Sequence, residues 1–112
     1  MNIAHFQALL NIRRDNLLAD AAAAAGASDT VELDQTRQGR LSRMDAMQQQ
    51  AMAAETHRRR SVELQRIAAA LGRIDQDEYG YCVQCDEQIG AGRLEIDPAA
   101  TLCIRCAELV DP

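Results

Sequence analysis

The chain has 112 residues and a net charge of −5, with seventeen acidic side chains against twelve basic ones, all of them arginine. A chain of this length buries only a modest core, so a bound metal would add needed stability. The acidic balance argues against a dedicated DNA or RNA binder, because such proteins neutralise phosphates with basic side chains. No apolar run approaches the roughly 18 residues of a spanning helix, and no signal peptide pattern opens the chain. We therefore expect a soluble, cytoplasmic protein.

A first helix is predicted over residues 2–25. Asn2 is a suitable N-cap, and the apolar residues that follow recur at helical spacing. An alanine run ends at Gly26, a residue type that often follows the last turn of a helix. The apolar stripe is narrow, which favours a two-helix hairpin over burial in a large core.

The hairpin turn is predicted over residues 26–34. Asp29 and Glu32 have the spacing of a capping box, so a second helix is expected to begin within residues 30–35 and to run to about residue 76. Folding this helix back on the first gives an antiparallel coiled coil. The second helix is longer than the first, so its last turns need another partner, and we expect the C-terminal module to supply it.

Four cysteines dominate the C-terminal part of the chain. Cys82 and Cys85 form one C-x2-C pair, Cys103 and Cys106 form a second, and seventeen residues separate the pairs. This spacing predicts one zinc ion held by four thiolates, with a structural role because no coordination position stays open. Redox-active pairs or a disulfide are the alternatives, but four paired cysteines in a reducing compartment favour metal.

The residues around the cysteines also carry structural signals. Leu94 and Ile96 suggest a short strand, and residues 101–110 predict a short helix whose free N–H groups could donate to thiolates. Arg93 or Arg105 could offset the negative charge of the metal centre, or both could be ordinary surface arginines. His5 and His57 have no metal-ligand partner at suitable spacing, and we assign them no role.

The cysteine module resembles the C4 zinc finger of the DksA/TraR family of bacterial transcription factors. The resemblance rests on the two cysteine pairs and on the Tyr79-Gly80-Tyr81-Cys82, Ile89-Gly90, Arg93-Leu94-Glu95, Pro98-Ala99 and Leu102-Cys103-Ile104-x-Cys106 segments. The resemblance implies a regulator that binds RNA polymerase and inserts its coiled coil into the secondary channel, with acidic residues at the tip near the active site.

The tip is expected to carry Asp29, Glu32 and Asp34, where the family typically has Asp-x-x-Asp-x-Ala. Counting back from Cys82 by the usual family distance places the tip at residues 39–44 instead. The acids have a second interpretation, capping a helix N-terminus and compensating its dipole.

A basic face on the second helix is the other expected contact surface. Arg58, Arg59 and Arg66 are expected to steer docking to the polymerase, and a solvated helix face is the alternative. In the family, basic residues on this helix also contact ppGpp. Two further basic positions of that site are replaced here, by Asp97 and Ala107, so we do not expect ppGpp to bind in the family manner.

The sequence thus predicts a mainly α-helical protein, with an antiparallel hairpin over residues 1–77, its tip at about 26–36, and a C4 zinc finger over residues 78–112. We expect a monomer that binds RNA polymerase and has no direct sequence-specific DNA binding, no membrane association and no enzymatic activity. A structural or interaction protein that uses the hairpin to dimerise or to hold another protein is the alternative function.

Overall fold

The computed structural model describes residues 1–35 and 40–110, and the side chains of residues 1–26 and 43–110. Four helices form within these ranges: α1 (Ile3–Gln35), α2 (Arg40–Asp75), α3 (Ala91–Ile96) and α4 (Ile104–Val110). The same ranges contain no strand, only one isolated antiparallel bridge between Tyr81 and Gln88. The predicted fold class, a two-helix antiparallel hairpin followed by a cysteine module with a short C-terminal helix, is confirmed.

Helix α1 begins as predicted and ends ten residues later than predicted. The Oδ1 atom of Asn2 accepts a hydrogen bond from the backbone N–H of His5 at 3.2 Å, which confirms Asn2 as the N-cap. The predicted helix end at Gly26 is wrong, because α1 continues to Gln35. A glycine inside a helix costs only about 1 kcal/mol relative to alanine. The alanine run before Gly26 consists of the residue type with the highest helix propensity and offsets that cost.

Helix α2 begins at Arg40 rather than within residues 30–35, so the capping box predicted at Asp29 and Glu32 does not start a helix. Residues 36–39, which lie between the two helices in the sequence, are outside the described residues. The position of the tip stays a prediction.

The C-terminal end of α2 is a Schellman motif. The backbone N–H of Glu78 donates to the carbonyl oxygen of Arg73 at 2.8 Å, and that of Asp77 donates to Ile74 at 3.2 Å. Asp77 lies in the left-handed region, with φ 58°. These two hydrogen bonds supply donors to carbonyl groups that have no partner within the last helical turn. They also turn the chain sharply into the cysteine module.

The chain divides into two compact units. The first comprises Met1–Arg14 and Leu64–Pro112, and the second comprises Asp15–Glu63. The first unit therefore combines the beginning of α1, the end of α2 and the cysteine module, which confirms that the last turns of α2 pack with that module. The division at residues 77 and 78 into a hairpin and a finger stays a prediction.

The core of the first unit draws on every one of its segments. Phe6 and Leu10 of α1 are buried, as are Ile67 and Ala70 of α2. The cysteine module contributes its own buried apolar side chains, which are Tyr79, Cys82, Ile89, Leu94, Pro98, Ala99, Ala100 and Cys106. The ring centroids of Phe6 and Tyr79 are 5.9 Å apart. Burial of this apolar surface is the main stabilising contribution to the unit.

The strand predicted at Leu94 and Ile96 is wrong, because both residues belong to helix α3. A strand would direct their side chains to the same face. In α3 Leu94 is fully buried whereas Ile96 is 78% exposed. The backbone N–H of Asp97 closes the helix by donating to the carbonyl oxygen of Arg93 at 2.8 Å. The short helix predicted over residues 101–110 is confirmed as α4.

Among the helices described, none combines the length and the apolar character needed to cross a membrane.

Candidate metal centre

The first cysteine pair sits in a tight turn. The backbone N–H of Asp86 donates to the carbonyl oxygen of Cys82 at 2.9 Å, and the N–H of Cys82 donates to Glu87 at 2.8 Å. Asp86 adopts the left-handed conformation, with φ 61°. The turn brings the side chains of Cys82 and Cys85 to the same side, because its two ends are held together by backbone hydrogen bonds.

The second pair lies where α4 begins. Cys103 directly precedes the helix and Cys106 lies in its first turn. The backbone N–H of Cys106 donates to the Sγ atom of Cys103 at 3.4 Å, as expected for a sulfur at a helix N-terminus. The two pairs are joined by a hydrogen bond from the backbone N–H of Val83 to the carbonyl oxygen of Thr101 at 2.9 Å.

The four sulfur atoms form one compact cluster. The Sγ atoms of Cys82, Cys85, Cys103 and Cys106 all lie within 4.8 Å of one another, and those of Cys85 and Cys103 are 3.8 Å apart. All four cysteines are free thiols rather than disulfides. A zinc–sulfur bond of about 2.3 Å in a tetrahedron places neighbouring sulfurs about 3.8 Å apart. The residues therefore fit one structural zinc ion, as the spacing predicted.

The surroundings of Cys82 and Cys106 shift the pKa values of their thiols in opposite directions. Burial raises the pKa of Cys82, but hydrogen bonds from the backbone of Cys103, Cys85 and Gln84 outweigh it and lower the value to about 6. The thiol hydrogen bond with Cys103, followed by burial, raises the pKa of Cys106 to about 12. A divalent cation stabilises all four thiolates, so metal binding releases protons and weakens in acid.

The predicted basic face includes an ion-pair cluster on α2. Arg58 donates from Nε and NH2 to the two carboxylate oxygens of Glu55, at 3.0 and 2.7 Å. Arg59 donates from Nε to the same carboxylate at 3.0 Å. Hydrogen bonds from Arg58 and then Arg59 lower the pKa of Glu55 to about 2. The cluster is solvent-exposed and carries one net positive charge, since one acid neutralises part of the two arginines.

Arg66, the third arginine of the predicted face, belongs to the first unit, whereas Arg58 and Arg59 belong to the second. The NH2 group of Arg66 donates to Oδ2 of Asp97 at 2.8 Å. This contact joins α2 to the residue that follows α3. Sequence reasoning missed it, because the partners are 31 positions apart and no periodic pattern relates them.

Two more basic side chains of α1 contact the same short segment. His5 lies 2.7 Å from Oε1 of Glu95, and the NH2 group of Arg13 donates to the carbonyl oxygen of Ile96 at 2.6 Å. His5, to which the sequence assigns no role, thus makes a structural contact with Glu95. Together with Arg66, these side chains hold residues 95–97 against both long helices of the first unit.

The structure does not describe the side chains of the three acids predicted at the tip. Asp29, Glu32 and Asp34 lie in the last part of α1, and their side chains are outside the described residues. Their role at the tip stays a prediction.

Comparison with known proteins places the cysteine module in a family. Residues 77–111 match the prokaryotic dksA/traR C4-type zinc finger. The RNA polymerase-binding transcription factor DksA of Haemophilus influenzae is 46% identical over 48 residues, which cover 43% of this chain and 33% of that protein. The protein of the same name from Escherichia coli strain K12 is 38% identical over 48 residues. These matches span only about one third of the length of the relatives.

A solved structure extends the similarity to the helical hairpin. Transcription factor DksA2 from Pseudomonas aeruginosa superposes with a TM-score of 0.83 and 28% sequence identity, covering 96% of this chain and 81% of that one. The similarity therefore includes α1 and α2 as well as the finger. Residues 77–111 therefore form a zinc finger of the dksA/traR C4 type, and the chain as a whole is similar in architecture to transcription factor DksA2.

Proposed function

We propose that this protein binds RNA polymerase through the secondary channel and modulates the initiation of transcription. The observation that carries this proposal is the match to transcription factor DksA2 along 96% of the chain. The DksA relatives that match the finger are named RNA polymerase-binding transcription factors. In this role the protein acts in the cytoplasm.

In this proposal the zinc finger is a rigid support and the hairpin makes the functional contacts. Four thiolate ligands leave zinc no open position for substrate or water, so the centre has no catalytic task. A transcription regulator needs none, and in this proposal the protein is not an enzyme. Asp29, Glu32 and Asp34 near the end of α1 would act at the polymerase active site. The net charge of −5 agrees with a protein partner rather than direct sequence-specific binding to DNA.

Arg58, Arg59 and Arg66 would steer docking by attraction to acidic surfaces of the polymerase. Their pairing with acids of the same chain fixes the direction of the guanidinium groups and reduces the net positive charge. We expect such exposed charges to act mainly on the association rate, with an effect that salt weakens.

We also propose that ppGpp is not bound in the family manner. Asp97 replaces a basic residue of the family's ppGpp site, and its carboxylate contacts Arg66 at 2.8 Å. An acid at this place repels phosphate groups and competes with them for the arginine. We expect the affinity for polymerase to be the same with and without ppGpp.

Binding of the full-length, zinc-loaded monomer to core RNA polymerase tests the main proposal. We expect saturable binding at micromolar protein, and its absence would overturn the proposal. Changing Asp29, Glu32 and Asp34 together to alanine should abolish the effect on transcription while largely preserving binding. Changing Gln48, Gln49 and Gln50 to alanine is the matched control, because these exposed side chains carry no charge, and it should leave both activities intact.

The exposed methionines of α2 favour a second candidate, an interaction protein that dimerises through its hairpin. Met44, Met47 and Met52 are 61%, 68% and 70% exposed. Methionine side chains adapt readily to a partner surface. Sedimentation distinguishes the candidates: a tight homodimer burying these residues would block entry into the channel, whereas a monomer at micromolar concentration favours the first proposal.

A further inference from the structure

Two arginines form hydrogen bonds with the backbone of the residues that directly precede the two cysteine pairs in the sequence. The NH2 group of Arg73 donates to the carbonyl oxygen of Tyr81 at 2.5 Å. The Nε atom of Arg93 donates to the carbonyl oxygen of Leu102 at 2.9 Å. Each of these carbonyl groups belongs to the residue immediately before the first cysteine of a pair, so the same contact occurs once for each half of the metal centre.

Arg73 fixes the first pair to the end of α2. It lies in the last turn of the helix, and its guanidinium also donates to the carbonyl oxygen of Glu78 at 3.2 Å. One side chain thus bridges both sides of the sharp turn that follows the helix. The carbonyl oxygen of Tyr81 is held at a fixed distance from α2, which limits rotation of the backbone leading into Cys82.

Arg93 fixes the second pair to α3. Its neighbour Leu94 is fully buried, so α3 is anchored in the core of the first unit. The contact to Leu102 spans nine positions of the chain and ties the segment before Cys103 to that anchored helix. The guanidinium donates in its plane, so the contact fixes direction as well as distance.

We propose that Arg73 and Arg93 are positioning residues of the metal centre, each setting the approach of one cysteine pair to the zinc ion. Neither contacts a cysteine sulfur in the described structure; both act through the backbone before it. Contacts outside the ligand set orient metal ligands, and their loss typically weakens metal binding by about 10-fold to 100-fold.

The test compares three variants of the full-length, zinc-loaded protein: R73Q, R93Q and R105Q. Arg105 is the matched control, because it lies between Cys103 and Cys106, is exposed, and makes no hydrogen bond among the contacts described. Each of the three changes removes one positive charge. Only the first two remove a hydrogen bond to the backbone before a cysteine pair.

The readout is the initial rate at which iodoacetamide alkylates each cysteine, resolved by mass spectrometry. We expect R73Q to increase the rate about tenfold at Cys82 and Cys85, with a smaller increase at the other pair. R93Q should increase the alkylation rate most at Cys103 and Cys106, with a smaller increase at Cys82 and Cys85. R105Q should stay within about twofold of the unchanged protein at all four positions.

The pattern across the pairs decides between positioning and general destabilisation. An equal rise at all four cysteines in both R73Q and R93Q would show that these arginines only stabilise the fold, and would overturn the proposal. An R105Q effect as large as that of R93Q would show that charge alone matters. Unchanged rates in R73Q and R93Q would also overturn it.

Cobalt substitution gives a second readout that does not require a reaction. The visible absorption bands of Co²⁺ bound to four thiolates report the geometry of the ligands, and we expect them to shift in R73Q and R93Q but not in R105Q. If a glutamine variant fails to fold, R73K and R93K replace it. Lysine keeps the charge and one donor but not the planar geometry, so the same pair-selective pattern is expected at smaller amplitude.

Discussion

The phenol oxygen of Tyr79 donates a hydrogen bond to the carbonyl oxygen of Pro98 at 2.7 Å, and both residues are buried. The contact closes a loop of the finger that contains the first cysteine pair and α3. It also leaves the aromatic ring packed against Phe6 of α1. Tyr79 therefore links the two ends of the loop to the beginning of the chain.

Changing Tyr79 to phenylalanine should lower the free energy of unfolding of the first unit by about 1 to 2 kcal/mol. The ring stays in place, but the buried carbonyl of Pro98 loses its donor. Chemical denaturation followed by circular dichroism measures the change. Y81F is the control, because the Tyr81 side chain is 47% exposed, and it should change stability by less than about 0.5 kcal/mol. Equal effects of the two variants would contradict this account.

Stability of the first unit should fall in strong alkali through Tyr79. Burial, followed by the charge of Asp97, raises the pKa of Tyr79 from 10.0 to about 12. The folded state therefore favours the neutral phenol. Its contribution is complete below pH 10 and is lost as the pH rises from about 10 to 12, by about 2 to 3 kcal/mol in total. In Y81F, where Tyr79 is the remaining tyrosine, tyrosinate absorbance should show a transition near pH 12. A transition near pH 10 in the folded protein would refute the prediction.

Removing the metal should disorder more of the chain than the finger itself. The finger shares its core with residues 1–14 and 64–75, so these segments lose their packing partner when the four thiolates lose zinc. After treatment with a chelator, hydrogen exchange should speed up in residues 1–14 and 64–110 while residues 15–35 and 40–63 keep their protection. A zinc-saturated chelator is the control. Unchanged protection of residues 1–14 would contradict the shared core.

Alanine substitutions at two glycines should have opposite effects on stability. Gly80 has φ +92°, and a Cβ atom there would lie 2.7 Å from the Sδ and Cε atoms of Met1. G80A should therefore cost about 1 to 2 kcal/mol, mainly through backbone strain. Gly72 lies inside α2 with nothing within 4 Å of its Cβ position, so G72A should gain about 0.5 to 1 kcal/mol. Thermal unfolding of both variants measures the difference, and a stable G80A would show that the turn adjusts freely.

Features that depend on a local sequence pattern could be predicted from the sequence alone. The spacing of Cys82, Cys85, Cys103 and Cys106 predicted the metal centre, and Asn2 predicted the start of α1. The end of α1 was misplaced because Gly26 is a weak signal, and the cost of one glycine is small against the helix around it.

Contacts between distant positions could not be read from the sequence. Arg66 with Asp97 and His5 with Glu95 are pairs of exposed or half-buried polar side chains, and neither pair follows a periodic pattern. The hydrogen bonds of Arg73 and Arg93 to backbone carbonyl groups could not be predicted either, because every residue has such a carbonyl and the sequence does not indicate which one is contacted. These contacts depend on the packing of α1 and α2 against the finger, which only the folded chain defines.

The first unit consists of two segments that are far apart in the sequence, Met1–Arg14 and Leu64–Pro112, and this affects its folding during synthesis on the ribosome. Phe6 and Leu10 emerge early, but the residues that bury them are translated later. At roughly 5 to 20 residues per second, translation from Leu10 to Cys106, roughly 100 residues, takes about 5 to 20 s. During this interval the beginning of α1 exposes apolar side chains, and it reaches its final packing only after the last cysteine pair has emerged and zinc has been captured.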